Sequence, residues 1–159
     1  MRQILWQREV RADRWRYPGE AGKGPVVQTL AELLSSASDA AGATRGGELG
    51  VRLGPTDEVA LLAPLLPRVG LVVVQFEASG DGRGYTQAQL LRQRHGYTGE
   101  LRAAGAVRRD SLFLLARCGF DSFDFAAGED PHAALVHLER YSVAYQASSG
   151  KLVQPRLRV

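Results

Sequence analysis

Between Val69 and Phe76 the chain reads Val-Gly-Leu-Val-Val-Val-Gln-Phe. A run this apolar and β-branched, bounded by turn residues, is a strand buried on both faces, as found in parallel sheets with both sides covered. The glycine-rich stretch Glu77-Ala78-Ser79-Gly80-Asp81-Gly82-Arg83-Gly84-Tyr85 follows it. Next comes Thr86-Gln87-Ala88-Gln89, with the Thr-x-x-Gln form of a capping box, and then Leu90 and Leu91. Strand, glycine loop and helix start in that order are the usual setting of an anion or ligand site in an α/β protein.

The same alternation extends in both directions. Leu49 to Leu53 reads as a strand, Gly54-Pro55-Thr56 as a turn with Thr56 as N-cap, and Asp57 to Leu66 as a helix carrying Pro64 near its end. The helix opened at Gln87 runs to His95 and closes at Gly96. Gly99 to Ala104 is a third strand, Asp110 to Cys118 a helix with Asp110 as N-cap and Gly119 after it, and Phe120 to Phe125, alternating with period two, a fourth strand. Asp130-Pro131 caps a helix from His132 to Arg140, and Ser142 to Gln146 offers a last strand. Upstream, Ile4-Leu5-Trp6 and Arg14-Trp15-Arg16-Tyr17 could pair as a small ribbon, and Thr29-Leu30-Ala31-Glu32 is a capping box opening another helix.

Four consecutive strand-helix units with short links require parallel strands joined by right-handed crossovers. The expected fold is therefore α/β and a single domain. It has four to five mostly parallel strands alternating with helices, in an open twisted or half-barrel-like sheet, with a small N-terminal ribbon and helix extension. Residues 1–48 would be that extension packed on the core, 49–146 the βα-repeat core and 147–159 a C-terminal tail. The loops after the strands collect along one edge, where ligands bind in such sheets.

Composition narrows the chemistry by exclusion. The net charge is +3, and 18 of the 20 basic residues are arginine, with only Lys23 and Lys151 as lysine. Arginine suits bidentate anion contacts, although a compositional bias of the source accounts for the excess equally simply. The arginines are scattered, without a basic stripe interleaved with aromatics, so nucleic acid is a poor partner. No apolar run approaches the roughly 18 residues of a membrane span, and Met1 to Arg8 is too polar for a signal segment, so a cytoplasmic protein with no membrane partner is expected. Cys118 is the only cysteine, which excludes an internal disulfide and any Cys-x-x-Cys motif. Its place at a helix C-terminus favours an inert thiol. His95, His132 and His137 have no metal-ligand spacing, so no metal is expected.

Gly80-Asp81-Gly82-Arg83-Gly84 lacks the final glycine of a dinucleotide fingerprint, since Tyr85 stands there, and it lacks the Gly-Lys-Ser/Thr of a Walker loop. No cofactor is expected. The loop can be a plain turn, or Arg83 between Gly82 and Gly84, with Tyr85 and Thr86 opening the helix, can hold an anion. Arg102 lies inside a strand and must find a carboxylate, for which Asp81, Asp110 and Glu77 are the candidates. Arg109, beside Asp110, can join an anion site or stay solvated. A cluster of Asp81, Arg83 and Arg102 at the sheet edge is the sharpest structural expectation.

The succession Asp81-Gly82-Arg83-Gly84-Tyr85-Thr86, Gly99-Glu100-Leu101-Arg102-Ala103, Arg109-Asp110 and Arg117-Cys118-Gly119-Phe120-Asp121 resembles the bacterial domain of unknown function 934 family over residues 49–146. Its members are described as taking part in sulfite reduction, because their genes lie near those of sulfite reductase and activated-sulfate reductase. The resemblance implies an accessory or oxyanion-handling protein of assimilatory sulfur metabolism. Anion contacts would come from Arg83, Arg102, Arg109, Gly82 and Gly84, supported by Asp81, Asp110, Tyr85 and Thr86. A second possibility is a non-catalytic partner that docks on sulfite reductase or another sulfur-assimilation protein, with Trp6 and Trp15 as anchors. The sequence departs from the family pattern at Ala106, Ser111 and Gln75, where an acidic residue, glutamine and aspartate are common.

Overall fold

The computed structural model describes residues 2–37 and 47–140. The strands at Leu49–Leu53 (β4) and Val69–Phe76 (β5) have the bounds the sequence predicts, and Glu100–Gly105 (β6) is displaced by one residue. They lie side by side and parallel, with Val51 beside Val72 and Val73 beside Arg102. Ser122–Phe123 (β7) continues the parallel series next to β6. Only two residues of the predicted Phe120 to Phe125 strand are regular, although the amides of Asp121 and Asp124 still donate to the carbonyls of Leu101 and Ala103.

The N-terminal residues do more than pack on this core. Gln3–Trp6 (β1) pairs antiparallel with β7, and Glu9–Ala12 (β2) pairs antiparallel with β1. Val27–Thr29 (β3) joins the opposite edge, parallel to β4, and completes a seven-stranded sheet in the order β2-β1-β7-β6-β5-β4-β3. The predicted ribbon partner of Ile4–Trp6 is thus corrected from Arg14–Tyr17 to Glu9–Ala12. The tight turn that allows it places both Gln7 and Arg8 at positive φ.

Because β3 to β7 are sequential neighbours running the same way, right-handed crossovers put all the connecting helices on one face. These are α1 (Leu30–Ala37), α2 (Val59–Leu62), α3 (Arg83–Gln89) and α4 (Leu112–Arg117); α5 (Pro131–Arg140) follows β7 and packs on β1 and β2. Strand alternation sends Val72, Val74, Phe76, Leu101 and Ala103 into the helical core, with Leu62, Leu91 and Leu115 against them. Each buried valine, leucine or phenylalanine among them contributes about 1.5–3 kcal/mol.

The other face needs a different cover. The chain leaves the sheet at β2 on one edge and re-enters at β3 on the other, so residues 13–26 must cross roughly 29 Å, within reach of fourteen residues. They cross the helix-free face, where Trp15 and Tyr17 pack over Val27, Leu71, Val73 and Ala104. This crossing is why β5 is buried on both sides.

Several boundaries differ from expectation for local reasons. The Thr29/Glu32 capping box forms, with Thr29 N–H donating to Glu32 Oε2 at 2.8 Å and Glu32 N–H to Thr29 Oγ1 at 3.3 Å. The Thr86/Gln89 box does not, because α3 begins at Arg83 and Asp81 accepts the Arg83 amide at 3.0 Å. The helix continues as a π-turn over Leu90–Arg94 before Gly96 ends it. The predicted Asp57 to Leu66 helix is one α-turn followed by a 3-10 stretch, Ala63–Arg68, where Pro64 and Pro67 remove donors. Thr56 is not its cap; the Asp57 carboxylate instead accepts the Gly54 amide at 2.7 Å. Asp110 caps no helix but sits in a 3-10 turn, Arg109–Ser111. Asp130 caps α5 as expected, accepting the His132 amide at 2.9 Å. Residues 38–46 of the N-terminal extension, the Ser142 to Gln146 strand and the 147–159 tail lie outside the described residues.

Candidate functional site

Arg102 stands at the middle of the helix-free face with no exposed surface. Its Nη1 and Nη2 grip Asp13 at 2.7 and 3.1 Å, Nη2 also donates to Glu100 Oε1 at 2.7 Å, Nε to Ser122 Oγ at 3.1 Å, and Nη1 to the Tyr17 hydroxyl at 3.3 Å. A guanidinium has five N–H donors, and all five are used inside the protein. Burial works against the charge, but the Tyr17, Glu100 and Asp13 oxygens more than offset it and hold the group above its ordinary range. Glu100 extends the network to Arg11 at 3.2 Å, and Arg11 lies over the Trp6 ring at 3.8 Å.

The expected cluster of Asp81, Arg83 and Arg102 therefore does not form. Arg102 does find the carboxylates that burial demands, but they are Asp13 and Glu100. Asp13 comes from the segment crossing the face, 89 residues away in sequence. Asp81 and Arg83 do pair, at 2.8 Å, in the loop before α3, and the hydrogen bonds from Arg83 hold the Asp81 carboxyl below its usual range. Gly82 is exposed in that loop. Gly84 is buried beneath the Phe76 ring, whose nearest atom would stand 2.6 Å from an added Cβ. Thr86 is exposed on α3, and Tyr85 packs edge-on against Phe76 at 5.4 Å. Arg109 and Asp110 are exposed in their 3-10 turn. Cys118 is partly buried, and burial pushes its thiol up. Trp15 is only 3 % exposed, in the second core, and Trp6 lies under Arg11, so neither indole is a free anchor.

The feature that gathers unpaired polar groups is a cleft of about 550 Å³ at the carboxyl ends of β4, β5 and β6, on the helix-free face. Arg52 from β4 and Gln75 from β5 line it, together with Gly105 at the end of β6, Tyr17 and Glu20 from the crossing segment, Arg2, and Asp124 just after β7. Alternation along the strands places Arg52 and Gln75 on this face, because Val51 and Phe76 go to the helical core. Gly105 has φ +92, and a Cβ there would strike the Gln75 carboxamide and the Phe76 carbonyl. Glycine thus lets Gln75 lie across the end of β6. Arg2 closes one side. It pairs with Glu20, reaches Asp124 at 3.4 Å and stacks over the Tyr17 ring at 4.3 Å. Among the described residues, the Arg52 guanidinium and the Gln75 carboxamide make no hydrogen bond or ion pair.

Two other hollows are lined by no arginine. One of about 740 Å³ runs along β3 and α1, and its only charged group, Glu32, is held in the capping box. One of about 440 Å³ lies at the amino ends of the strands among Gly47, Gly70, Gly96 and Gly99. Among the described residues no three His, Cys, Asp or Glu side chains stand close enough to hold a metal ion, and no helix is long and apolar enough to cross a membrane.

Arg52, Tyr17 and Asp124 were not reached from the sequence as site residues, and Gln75 stood out there only as a departure from the family pattern. Their signal lay in alternation: Arg52 and Gln75 interrupt otherwise apolar strands near their carboxyl ends, on the face opposite the helices.

Fold and cleft together define an α/β protein with a polar cleft at the carboxyl edge of the parallel strands. The chain belongs to the family described as "Bacterial protein of unknown function (DUF934)", whose model matches residues 50–155. No curated protein and no solved structure matches it.

Proposed function

We propose that this protein handles a small oxyanion in assimilatory sulfur metabolism, as an accessory to sulfite or sulfate reduction, and binds that anion between Arg52 and Gln75. The observation that carries this is the unused donor capacity of those two side chains. Almost every neighbouring charge on the helix-free face is matched: Arg102 by Asp13 and Glu100, Arg11 by Glu100, and Arg2 by Glu20. Arg52 is half-buried and donates no hydrogen bond among the described residues, its charge acting on Glu32 at longer range, and the carboxamide beside it adds two N–H donors. A planar guanidinium with a neighbouring amide suits a sulfur or phosphorus oxyanion. The sulfur pathway is drawn from the family resemblance, and the oxyanion from the cleft.

Calorimetric titration of the full chain with sulfite, sulfate and phosphate tests this. Saturable binding by at least one of them is expected, weakened about tenfold or more by Arg52→Met or Gln75→Leu, corresponding to about 1.4 kcal/mol. Both variants should keep the melting temperature of the parent. Absence of saturation at millimolar anion, or binding that neither substitution changes, would discard the proposal.

A further inference from the structure

The cleft also contains an acceptor, and that acceptor restricts which oxyanion can enter. Resting on the oxyanion reading above, we infer that the cleft selects an oxyanion that carries a hydrogen, such as hydrogen phosphate or hydrogensulfite, over one that carries none, such as sulfate, and that Asp124 makes the choice.

Asp124 lines the cleft with Arg52 and Gln75, and its side chain is 20 % exposed. Its one ion pair is with Arg2 at 3.4 Å, and its carboxylate accepts no hydrogen bond among the described residues. Glu20, the other acid in the cleft, already accepts on both oxygens, one from Arg2 and the other from the Tyr17 amide at 2.8 Å. Asp124 is thus the cleft carboxylate that accepts no hydrogen bond among the described residues. Burial pushes it above the usual carboxylate range, against the pull of Arg2 and Arg102 and helped by the nearby Asp13 and Glu20 charges, as befits a carboxylate short of partners.

Tyr17 lines the same cleft, its hydroxyl accepting from the buried Arg102 and feeling the Asp124 and Asp13 charges. An incoming anion thus finds donors on Arg52 and Gln75 and an acceptor on Asp124. An oxyanion without hydrogen meets that carboxylate as like charge against like charge. One with an O–H donates it to Asp124, and the repulsion becomes a charge-assisted hydrogen bond. A buried acceptor left unpaired by the wrong ligand is the arrangement that discriminates most strongly in binding sites.

Titration of the full chain at pH 7 with phosphate, which keeps a hydroxyl there, and with sulfate, which keeps none, tests the inference. The parent protein should bind phosphate about tenfold tighter than sulfate or better, which is about 1.4 kcal/mol. Asp124→Asn, which offers an amide N–H in place of the lone acceptor, should reduce the ratio to about threefold or less by strengthening sulfate. The parent's own selectivity is read without any variant, so a folding defect in Asp124→Asn would not obscure it. Equal affinity for the two anions, or a ratio that Asp124→Asn leaves intact, would overturn the inference while leaving oxyanion binding in place. Failure of both anions to bind the parent would overturn this inference, and failure of sulfite as well would overturn the oxyanion reading with it.

Discussion

Arg102 on β6 and Asp13 at the start of the crossing segment form a two-point ion pair, 2.7 and 3.1 Å, with 0 % and 1 % of their side chains exposed. The pair fastens the N-terminal segment to the centre of the sheet and holds Tyr17 over the cleft. Removing one partner of a buried pair strands the other, at a cost of about 3–5 kcal/mol. Asp13→Ala and Arg102→Ala should each lower stability on that scale in chemical denaturation, and the double variant should lose distinctly less than the sum. Asp81→Ala, which breaks a local pair with Arg83 in the loop before α3, should cost distinctly less.

Gly105→Ala should destabilise the fold by about 1–3 kcal/mol, because a Cβ is strained at positive φ and displaces neighbouring groups as well. The displaced groups are the Gln75 carboxamide and the Phe76 carbonyl. The same variant should weaken anion binding, whereas Gly80→Ala, in open space, should do neither. Urea melts and a titration on the same preparations check both halves.

Arg92 lies in the π-turn and donates to the carbonyls of Gly119 at 2.9 Å, Tyr97 at 2.7 Å and Gly99 at 2.9 Å, with Asp121 at 3.4 Å. Lysine keeps the charge but not the planar fork that reaches three carbonyls together. Arg92→Lys should therefore still cost about 2–4 kcal/mol by leaving buried carbonyls unpaired, measured by denaturant unfolding.

Burial raises the Asp121 carboxyl to about 6, although Arg92 and the Leu101 amide pull the other way. The folded pKa lies above the unfolded one, so between about pH 4 and 6 the folded chain holds the extra proton and stability falls as pH rises. Above pH 6 this contribution is flat, and its whole span is about 2–3 kcal/mol. Asp121→Asn should remove this slope from a stability profile measured between pH 4 and 7 and leave the slopes of other groups.

The βα alternation from Leu49 to Cys118 was legible because apolar periodicity and glycine stops are local signals. Strand bounds at Leu49–Leu53 and Val69–Phe76 came out unchanged, and Gly96 and Gly119 end their helices at positive φ. The route of residues 13–26 was not legible, because it depends on β1 and β3 joining opposite edges of one sheet. For the same reason Arg102 could be known to need a carboxylate but not to receive Asp13. The glycine loop drew attention to Arg83, whose charge is met within two residues by Asp81. Arg52 and Gln75 become a site only when the empty side of the sheet is known.

The central claim, that Arg52 and Gln75 bind an oxyanion in the cleft at the carboxyl ends of β4 to β6, is tested most directly by a crystal structure with arsenate, which keeps a hydroxyl at neutral pH. The account predicts one strong anomalous arsenic peak within hydrogen-bonding reach of the Arg52 guanidinium, the Gln75 carboxamide and the Asp124 carboxylate. A peak at the Gly82-Arg83-Gly84 loop, or none in the cleft at saturating arsenate, would contradict it.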